Sequence, residues 1–229
     1  MTGLFGASRD KSTAIEIAES IEGWLTPFEE GLLYDLARKD TAEGVILEVG
    51  SWKGKSTVIL ASGSKAGKGD LVYAVDHHRG SVEHATSLGE VNTEAEFRRN
   101  LERASCSETV VPLVMSSREA ARLWSRRPAR IRLLWVDGAH DYSSVLEDID
   151  LWNPFLVDRG VIAFHDFTHS IEVRKATKER ICCSRAFSEV KLHGSILWAR
   201  KTSARWSLQI VRNLFDYAML TSINAIAYR

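Results

Sequence analysis

The architecture of this chain can be predicted from one segment, Val45-Ile-Leu-Glu-Val-Gly-Ser-Trp-Lys-Gly-Lys-Ser-Thr57. Its first five residues form a nearly continuous apolar row, which is typical of a strand buried on both faces of a parallel sheet. The glycines that follow allow the backbone to approach a ligand closely. The N–H groups at the start of the next helix can bind a carboxylate or a phosphate. The segment therefore predicts a ligand site beyond the carboxyl end of a strand.

The glycine spacing in this segment leaves three classes of ligand to consider. A P-loop for ATP has the pattern G-x-x-x-x-G-K-[ST], but only three residues lie between Gly50 and Gly54. A dinucleotide site has the pattern G-x-G-x-x-G, and its second glycine is absent here. S-adenosylmethionine (SAM) carries no phosphate and tolerates a looser loop, so the segment favours SAM.

The rest of the chain alternates apolar runs with amphipathic stretches. The predicted strands are Val45–Val49, Leu71–Val75, Val110–Met115, Ile131–Val136 and Val161–Phe164. Capping boxes predict helices that begin after Thr93, Ser116 and Ser144. This alternation predicts a doubly wound, mostly parallel α/β sheet with helices on both faces. A closing antiparallel hairpin is predicted for Phe187–Leu192 and Ser195–Arg200.

We expect three parts: N-terminal helices in residues 1–40, a SAM-binding domain in residues 41–201, and a helical tail in residues 202–229. In the first part, the Thr26/Glu29 capping box with Pro27 predicts that a helix begins at Pro27 and that the preceding helix ends near Trp24.

The tail carries apolar residues at helical spacing: Val211, Leu214, Phe215 and Ala218. Packing on the domain is the favoured interpretation, ahead of a homodimer contact through the terminal helices and of a helix on a membrane surface.

The composition limits the partners of the protein. Thirty basic and thirty acidic residues give a formal net charge of zero, which predicts no long-range attraction to nucleic acid or anionic lipid. A local basic stretch, Arg126, Arg127, Arg130 and Arg132, is interpreted as a solvated helix end and strand start.

Targeting and redox features are also sparse. Three cysteines without C-x-x-C spacing argue against a disulfide framework and a structural zinc site. No signal peptide is evident, and the longest uncharged run, Tyr217–Tyr228, is too short to span a bilayer. We therefore expect a cytoplasmic protein.

Two further signals lie at predicted strand ends. Asp76 ends the second strand, where its carboxylate can accept both ribose hydroxyl hydrogens of an adenosine; the alternative is a turn-forming Asp. Asp137, His140, His165 and Asp166 follow the fourth and fifth strands and should gather at one rim. They could hold a divalent cation, act as a general base, or shape the rim through hydrogen bonds.

In this order, the motifs resemble those of class I SAM-dependent methyltransferases, in particular methyltransferase family 24, a bacterial O-methyltransferase-like group. The resemblance covers roughly residues 23–201. Its matching segments are Gly23–Thr26, Ile46–Thr57, Val75-Asp76, Phe97–Leu101, Ser116–Glu119, Trp135–Tyr142, Asp148–Trp152 and Phe164–Asp166.

The resemblance implies a seven-stranded sheet and assigns the site. Gly50, Ser51 and Gly54 would line the methionine portion of SAM, with Ser56 nearby and Glu48 in the strand before them. Asp76 would hold the ribose, and His77, Ser116 and Ser117 would border the adenine. Asp137 and His140 would face the methyl group and the acceptor.

The resemblance also raises the question of a metal. In related metal-dependent O-methyltransferases, an Asp after the fourth strand joins an acid-rich pair after the fifth. Here Asp137 matches, but the pair is His165-Asp166, and a His in that position suits magnesium less well. The implied ligands are Asp137, His165 and Asp166, with magnesium as the candidate cation.

These observations predict an enzyme that methylates a hydroxyl of a small molecule or sugar. His140, with an ordinary imidazole pKa of about 6.5, could accept the hydroxyl proton, or a cation could lower the pKa of the hydroxyl. The rival hypotheses are an α/β enzyme that binds NAD or ATP, and a SAM-binding domain without turnover. The polar segment 77–92 is interpreted as a mobile lid over the acceptor, with a plain surface loop as the alternative.

Overall fold

The protein is built on one seven-stranded sheet. In this computed structural model the described residues are 3–39, 42–80, 91–126, 129–203 and 209–227. The strands are β1 (Val45–Val49), β2 (Val72–Val75), β3 (Val110–Leu113), β4 (Ile131–Val136), β5 (Leu156–Phe164), β6 (Phe187–His193) and β7 (Ile196–Lys201). Their order is β3-β2-β1-β4-β5-β7-β6, and β7 is antiparallel to both β5 and β6 while the other pairs are parallel. The predicted fold class and closing hairpin are confirmed.

Helices cover both faces of this sheet. They are α1 (Gly3–Glu19), α2 (Pro27–Arg38), α3 (Lys55–Lys65), α4 (Glu94–Arg103), α5 (Ser117–Trp124), α6 (Tyr142–Trp152), α7 (Ile171–Thr177) and α8 (Gln209–Ala227). A 3₁₀ turn (Asn153–Phe155) leads into β5, and a π-helical turn (Lys178–Cys182) follows α7.

Two apolar cores form because side chains alternate across each strand. On one face, Ile46 and Trp135 pack with residues of α1 to α4. On the other face, Leu47 and Leu134 pack with residues of α5 to α7 and with partly buried residues of α8. All six residues of β4 are buried, which explains why the central strands have near-continuous apolar sequences.

Local signals at the helix starts were partly correct. The Thr26/Glu29 and Ser116/Glu119 capping boxes are both formed. Thr93 precedes α4 but makes no side-chain cap, because its hydroxyl instead lies 2.9 Å from Nδ1 of His78. The predicted cap at Ser144 is wrong, since α6 begins earlier and Asp141 accepts the hydrogen bond from the Ser144 N–H.

Several predicted boundaries differ from the structure. The first helix ends at Glu19 rather than near Trp24, and Ser20–Thr26 forms an irregular connection to α2. The third strand ends at Leu113, where the Met115 N–H already donates to the Leu113 carbonyl in a turn. The fifth strand begins at Leu156, because the polar residues before Gly160 continue the extended chain.

The prediction for Arg132 needs correction. Arg132, interpreted as part of a solvated strand start, is 1% exposed. Its guanidinium pairs with Asp70 at 2.6 Å and donates to the Ala37 and Lys39 carbonyls at 2.6 and 3.2 Å. It therefore anchors α2 to the sheet, since a buried guanidinium needs partners for its donors.

The tail forms the predicted helix but buries a different face. Asn213 is fully buried and donates to the Ser184 and Phe187 carbonyls, whereas Val211 and Phe215 are 62% and 65% exposed. Hydrogen bonds to the end of the hairpin thus orient α8, in addition to its apolar packing. None of the helices in the described part of the chain is long and apolar enough to cross a membrane.

Candidate active site

A cavity of about 900 Å³ lies beyond the carboxyl ends of β1 to β5. It sits where the strand order reverses between β1 and β4, which is the usual ligand-binding position in open α/β sheets. The segments that contribute to its lining are 22–29, 49–56, 75–80, 115–118, 137–148, 165–169 and 194–195. Its volume is in the upper part of the usual range for ligand pockets.

The glycine loop (residues 50–54) is held by packing inside the protein. Gly50 has φ of 85°, and a Cβ atom there would lie 2.1 Å from the Asp137 carbonyl oxygen. Gly54 has φ of 92°, and its Cβ would lie 3.1 Å from the Phe97 ring. Gly50 lines the cavity and Gly54 does not. Both glycines are thus required by contacts within the fold, in addition to any ligand that approaches the loop.

Glu48 lies beneath this loop. Its carboxyl group is fully buried and accepts hydrogen bonds from the hydroxyls of Ser56 and Thr57, both at 2.5 Å. Burial raises the pKa of Glu48 to about 8, against the lowering effect of these two hydroxyls. Glu48 does not line the cavity, but Ser56 does. Of this predicted pair, only Ser56 can contact a ligand directly.

Asp76, directly after β2, binds the glycine loop through its carboxylate. One carboxylate oxygen accepts hydrogen bonds from the Ser51 and Trp52 N–H groups at 2.9 and 2.8 Å, and the other accepts from the His78 N–H at 2.7 Å. Asp76 lines the cavity and is partly exposed. A carboxylate has about four acceptor positions, so one remains for a ligand hydroxyl.

One polar atom beside Asp76 lacks a protein partner. The Ser51 hydroxyl is buried and, among the residues that the structure describes, forms no hydrogen bond. A buried hydroxyl without a partner is costly, and Ser51 lines the cavity. This is where a bound ligand would complete the hydrogen bonding, so the residues around the loop fit a polar ligand.

The three residues predicted around the adenine also line the cavity. Ser116 caps α5, with its hydroxyl 2.6 Å from the Glu119 carboxylate. The Ser117 hydroxyl accepts a hydrogen bond from Trp152 Nε1 at 2.9 Å. His77 is exposed at the edge of the cavity. Of the segment interpreted as a lid, residues 81–90 lie outside the described residues.

The structure brings Asp137, His140, His165 and Asp166 together at one rim, and we call them the acid–histidine cluster. His140 Nε2 lies 3.1 Å from Asp166 and 3.9 Å from Asp137. His165 Nδ1 lies 3.2 Å from both carboxylates. The His165 side chain is 4% exposed, whereas that of His140 is 32% exposed. His140 is therefore the imidazole that a substrate can reach.

Charges and hydrogen bonds within the cluster shift the pKa values of its members. Hydrogen bonds to Asp137 and Asp166 raise the pKa of His140 to about 10. Burial alone would lower the pKa of His165, but the charge of Asp137 and hydrogen bonds to Asp137, Asp166 and Glu29 raise it to about 12. Burial would raise the pKa of Asp166, but its hydrogen bonds to the two histidines hold it well below its usual range. In this cluster the pKa of His140 is therefore raised well above the ordinary imidazole value.

Sequence reasoning missed Glu29 as part of this site. Its Oε1 accepts hydrogen bonds from the Ser195 N–H and hydroxyl at 2.6 and 2.7 Å, and its Oε2 lies 3.9 Å from His165 Nε2. Burial would raise its pKa, but hydrogen bonds with His165, Ser195 and Thr26 hold it well below the usual range. The only sequence signal at Glu29 was its capping box, which indicates a helix start and nothing about a partner 166 residues away.

The atoms best placed to bind a cation belong to Asp137, His140 and Asp166, whose potential ligand atoms all lie within 4.8 Å of one another. His140 rather than the predicted His165 completes this group, because His165 lies deeper, between the two carboxylates and Glu29. Two carboxylates and one imidazole fit a transition-metal ion such as manganese or iron better than magnesium, which prefers oxygen ligands.

Comparison with known proteins identifies the family. A family model described as a methyltransferase domain, that of family 24, matches residues 47–167, just over half of the chain. The chain belongs to this methyltransferase family. It is accordingly a class I, SAM-dependent methyltransferase, as the sequence motifs predicted. The matched region includes the glycine loop and the acid–histidine cluster, whereas Glu29 and the lining residues of segment 194–195 lie outside it.

Solved structures share the fold of this methyltransferase. The O-methyltransferase NovP is 16% identical with a TM-score of 0.64, and the match covers 76% of this chain and 79% of NovP. CalS11, a TDP-rhamnose 3'-O-methyltransferase of calicheamicin biosynthesis, is 16% identical with a TM-score of 0.57, covering 75% and 77%. TomG from Streptomyces achromogenes, in complex with SAM, is 16% identical with a TM-score of 0.60, covering 85% and 90%.

Proposed function

We propose that this methyltransferase transfers the methyl group of SAM to a hydroxyl oxygen of a small molecule, with sugars among the candidate acceptors. The observation that carries the proposal is that the glycine loop and the acid–histidine cluster line the same cavity. Structural neighbours support it, because NovP, CalS11 and TomG are O-methyltransferases by name and CalS11 acts on TDP-rhamnose.

In the proposed complex, the donor lies across the carboxyl ends of β1 and β2. Gly50, Ser51 and Ser56 border the methionine portion, and Glu48 and Gly54 act indirectly by holding Ser56 and the loop. Asp76 accepts a hydrogen bond from the ribose through its remaining acceptor position. The adenine lies beside His77, Ser116 and Ser117. Asp137 borders the methyl group, which places the acceptor next to the acid–histidine cluster.

Methyl transfer to a hydroxyl requires alignment of the reacting atoms and a group that accepts the hydroxyl proton. SAM supplies an activated methyl group, so the oxygen–methyl bond forms as the methyl–sulfur bond breaks. The cavity walls hold the acceptor oxygen in line with that bond and exclude water. The hydroxyl proton passes to an aspartate of the acid–histidine cluster, because the raised pKa of His140 means that its imidazole already carries a proton near neutral pH. His140 is the member that touches the acceptor, because it is the exposed imidazole.

A divalent cation bound at the same rim would provide a second way to activate the acceptor hydroxyl. Asp137, His140 and Asp166 would hold it, and it would lower the pKa of the acceptor hydroxyl. His165, between the carboxylates and Glu29, would then orient the two aspartates.

Donor binding is tested by calorimetry with SAM and with S-adenosylhomocysteine (SAH), its demethylated product. We expect both to bind at one site per chain, with NAD and ATP as negative controls. Binding of NAD or ATP in place of SAH would contradict the proposal.

Turnover is tested by screening sugars, nucleotide sugars and phenols as acceptors, with and without added magnesium or manganese. SAH formation that depends on one hydroxyl acceptor is the expected result. Tight SAM binding without turnover across the screen would favour a binding domain without catalysis.

The role of His140 is tested with His140→Ala. We expect methyl transfer to fall by about 100-fold or more, which is the usual contribution of a positioned acid or base. His193→Ala is the matched control, because His193 stacks on Phe28 outside the cavity. Loss of wild-type activity on adding a chelator, with recovery when the metal is added back, would instead assign activation of the hydroxyl to a metal held by Asp137, His140 and Asp166.

A further inference from the structure

Trp24 is a large aromatic residue at the open edge of the cavity, and the reaction described above gives it no role. It lines the cavity and is 63% exposed. Large apolar side chains are usually buried, and exposed apolar surface beside a pocket is typical of a ligand-binding position. Trp24 lies in the connection between α1 and α2, outside the region that the family model matches.

The residues on both sides of Trp24 hold this connection in place. Glu22 pairs with Lys53 of the glycine loop at 2.7 Å. Leu25 is buried and belongs to the apolar core. Thr26 then caps α2. The indole of Trp24 is therefore presented at the cavity by a connection that is fixed before and after it, so little order would have to be gained when a ligand binds.

The same connection follows the cavity wall from the glycine loop towards the acid–histidine cluster. The ring centroid of Trp24 lies 5.8 Å from that of Trp52 in the glycine loop, with 49° between the ring planes. Five positions after Trp24, the Glu29 carboxylate lies 3.9 Å from His165 of the cluster. A molecule with one hydroxyl at the cluster can therefore extend along this wall to the indole.

The chemistry of an indole selects the part of a ligand that it can bind. Its faces are flat and apolar, and they offer a large contact area with only two side-chain torsions to fix. Aromatic rings and the C–H faces of pyranose sugars both present a complementary flat surface, whereas a linear polyol does not. The methionine portion of SAM ends in charged amino and carboxylate groups, which an indole face does not hydrogen-bond.

We infer that Trp24 is the platform on which a ring of the methyl acceptor stacks, which makes this enzyme selective for cyclic acceptors. The shared chemistry is a flat apolar ring face, supplied by an aromatic ring or by a pyranose. The inference rests on the proposed O-methylation. It assigns Trp24 to binding of the acceptor, with no part in binding of the donor.

Steady-state kinetics of Trp24→Ala provide the first test. We expect the KM for the acceptor to rise about 10-fold or more, because the stacking surface is lost, while kcat stays within about threefold. Trp24→Phe keeps an aromatic face and should stay within about threefold of wild type in both constants. A Trp24→Ala protein with an unchanged acceptor KM, or a Trp24→Phe protein that is equally impaired, would overturn the inference.

Phe28→Ala is the matched control. Phe28 is an equally exposed aromatic residue four positions after Trp24, but it does not line the cavity, so its loss should leave the acceptor KM unchanged. Calorimetry with SAH separates the acceptor from the donor. Trp24→Ala should bind SAH within about threefold of wild type, and a 10-fold loss of SAH affinity would place the indole against the donor and overturn the inference.

The acceptors in this test are phenols, pyranose sugars and their nucleotide esters, with linear polyols such as sorbitol for comparison. Turnover of phenols alone or of sugars alone identifies the source of the ring. Turnover of sorbitol as efficient as that of the best cyclic acceptor would overturn the inference while leaving O-methylation intact. SAH formation with none of these acceptors would refute the proposed function, and the inference with it.

A direct readout comes from fluorine NMR of the protein labelled with 5-fluorotryptophan and saturated with SAH. The chain has seven tryptophans, and the Trp24 resonance is the one that disappears in Trp24→Phe. Adding the best acceptor of the panel should shift this resonance, whereas that of Trp198, which lies in the hairpin outside the cavity, should stay in place. An unmoved Trp24 resonance at saturating acceptor would contradict the inference.

Discussion

The two sides of the cavity are built in different ways. Around the glycine loop, Asp76 accepts its hydrogen bonds from backbone N–H groups, two of which come from the loop itself. In the acid–histidine cluster, side chains bond to side chains, and Glu29 joins them from a helix near the other end of the sequence. The side that we propose binds the donor therefore depends on backbone geometry, and the proposed acceptor side depends on packing between distant segments.

Two carboxyl groups, the buried Glu48 and the partly buried Asp166, show the same contrast in charge. Burial raises the pKa of Glu48 to about 8, because its partners are neutral hydroxyls. The pKa of Asp166 is well below its usual range, because histidines hydrogen-bond to it despite burial. A carboxyl group that supports a loop can stay neutral, while one that must balance the charge of imidazolium groups is held ionised.

The largest effect on activity is expected from a substitution in the acid–histidine cluster. Asp166→Asn should reduce kcat by about 100-fold or more, because it removes the charge that pairs with His140 and His165. Asparagine tolerates the left-handed backbone at this position, where φ is 55°, so the fold should persist. Initial rates of SAH formation measure the change.

The same variant must leave donor binding nearly intact for the comparison to hold. Its affinity for SAH by calorimetry should stay within about threefold of wild type. The control is Asp150→Asn, at an exposed position on α6 that pairs with Arg180, and its affinity should also stay within that range. A large loss of SAH affinity in Asp166→Asn would show that the two sides are one coupled unit.

An intermediate effect, on SAH affinity, is expected from a substitution at Asp76 beside the glycine loop. Asp76→Asn should weaken SAH binding by about 10- to 100-fold, because hydrogen bonds from three N–H groups to a charged carboxylate contribute more than bonds to a neutral amide. Calorimetry measures the affinity, and kcat at saturating SAM should change much less. Unchanged SAH affinity would argue that Asp76 supports only the loop.

The smallest effect is on stability and concerns Glu48→Gln. The ordinary glutamate pKa is 4.5 and the folded value is about 8, so folding takes up a proton between these two pH values. The free energy of unfolding contributed by Glu48 therefore falls as pH rises through this window, by about 1.4 kcal/mol per pH unit. Glutamine does not titrate, so the variant should gain stability relative to wild type as pH increases.

Urea unfolding at several values between pH 5 and 8 measures this difference. Glu102→Gln, at an exposed position on α4, is the control and should show no such trend. A constant difference between Glu48→Gln and wild type would mean that Glu48 is ionised in the folded protein, like Asp166.

Much of the donor side could be predicted from sequence because its signals are local. The apolar strand, the glycines and the helix start lie within 13 residues, and Asp76 follows the next strand. Even there, the reason predicted for the glycines was incomplete. Gly50 is also required because a Cβ atom there would clash with the carbonyl of Asp137, which follows the neighbouring strand β4. Periodicity also misplaced the buried face of α8, because Asn213 makes hydrogen bonds to the hairpin that spacing does not reveal.

The acceptor side could be predicted only as a list of residues. The sequence placed Asp137, His140, His165 and Asp166 at strand ends, and parallel strands necessarily bring such ends to one edge. It did not reveal that His165 would lie between the carboxylates and Glu29, or that two aspartates would raise the pKa of His140. Electrostatic coupling depends on distances of a few ångströms between segments that are far apart in the chain.

Local patterns along the chain were enough to predict the succession of strands and helices, the ligand-binding edge and the family, because each follows from periodicity and short motifs. The folded chain alone shows which imidazole is more exposed, which carboxyl groups have raised or lowered pKa values, and that Glu29 lines the cavity. These properties depend on burial and on partners that the folded chain alone brings together.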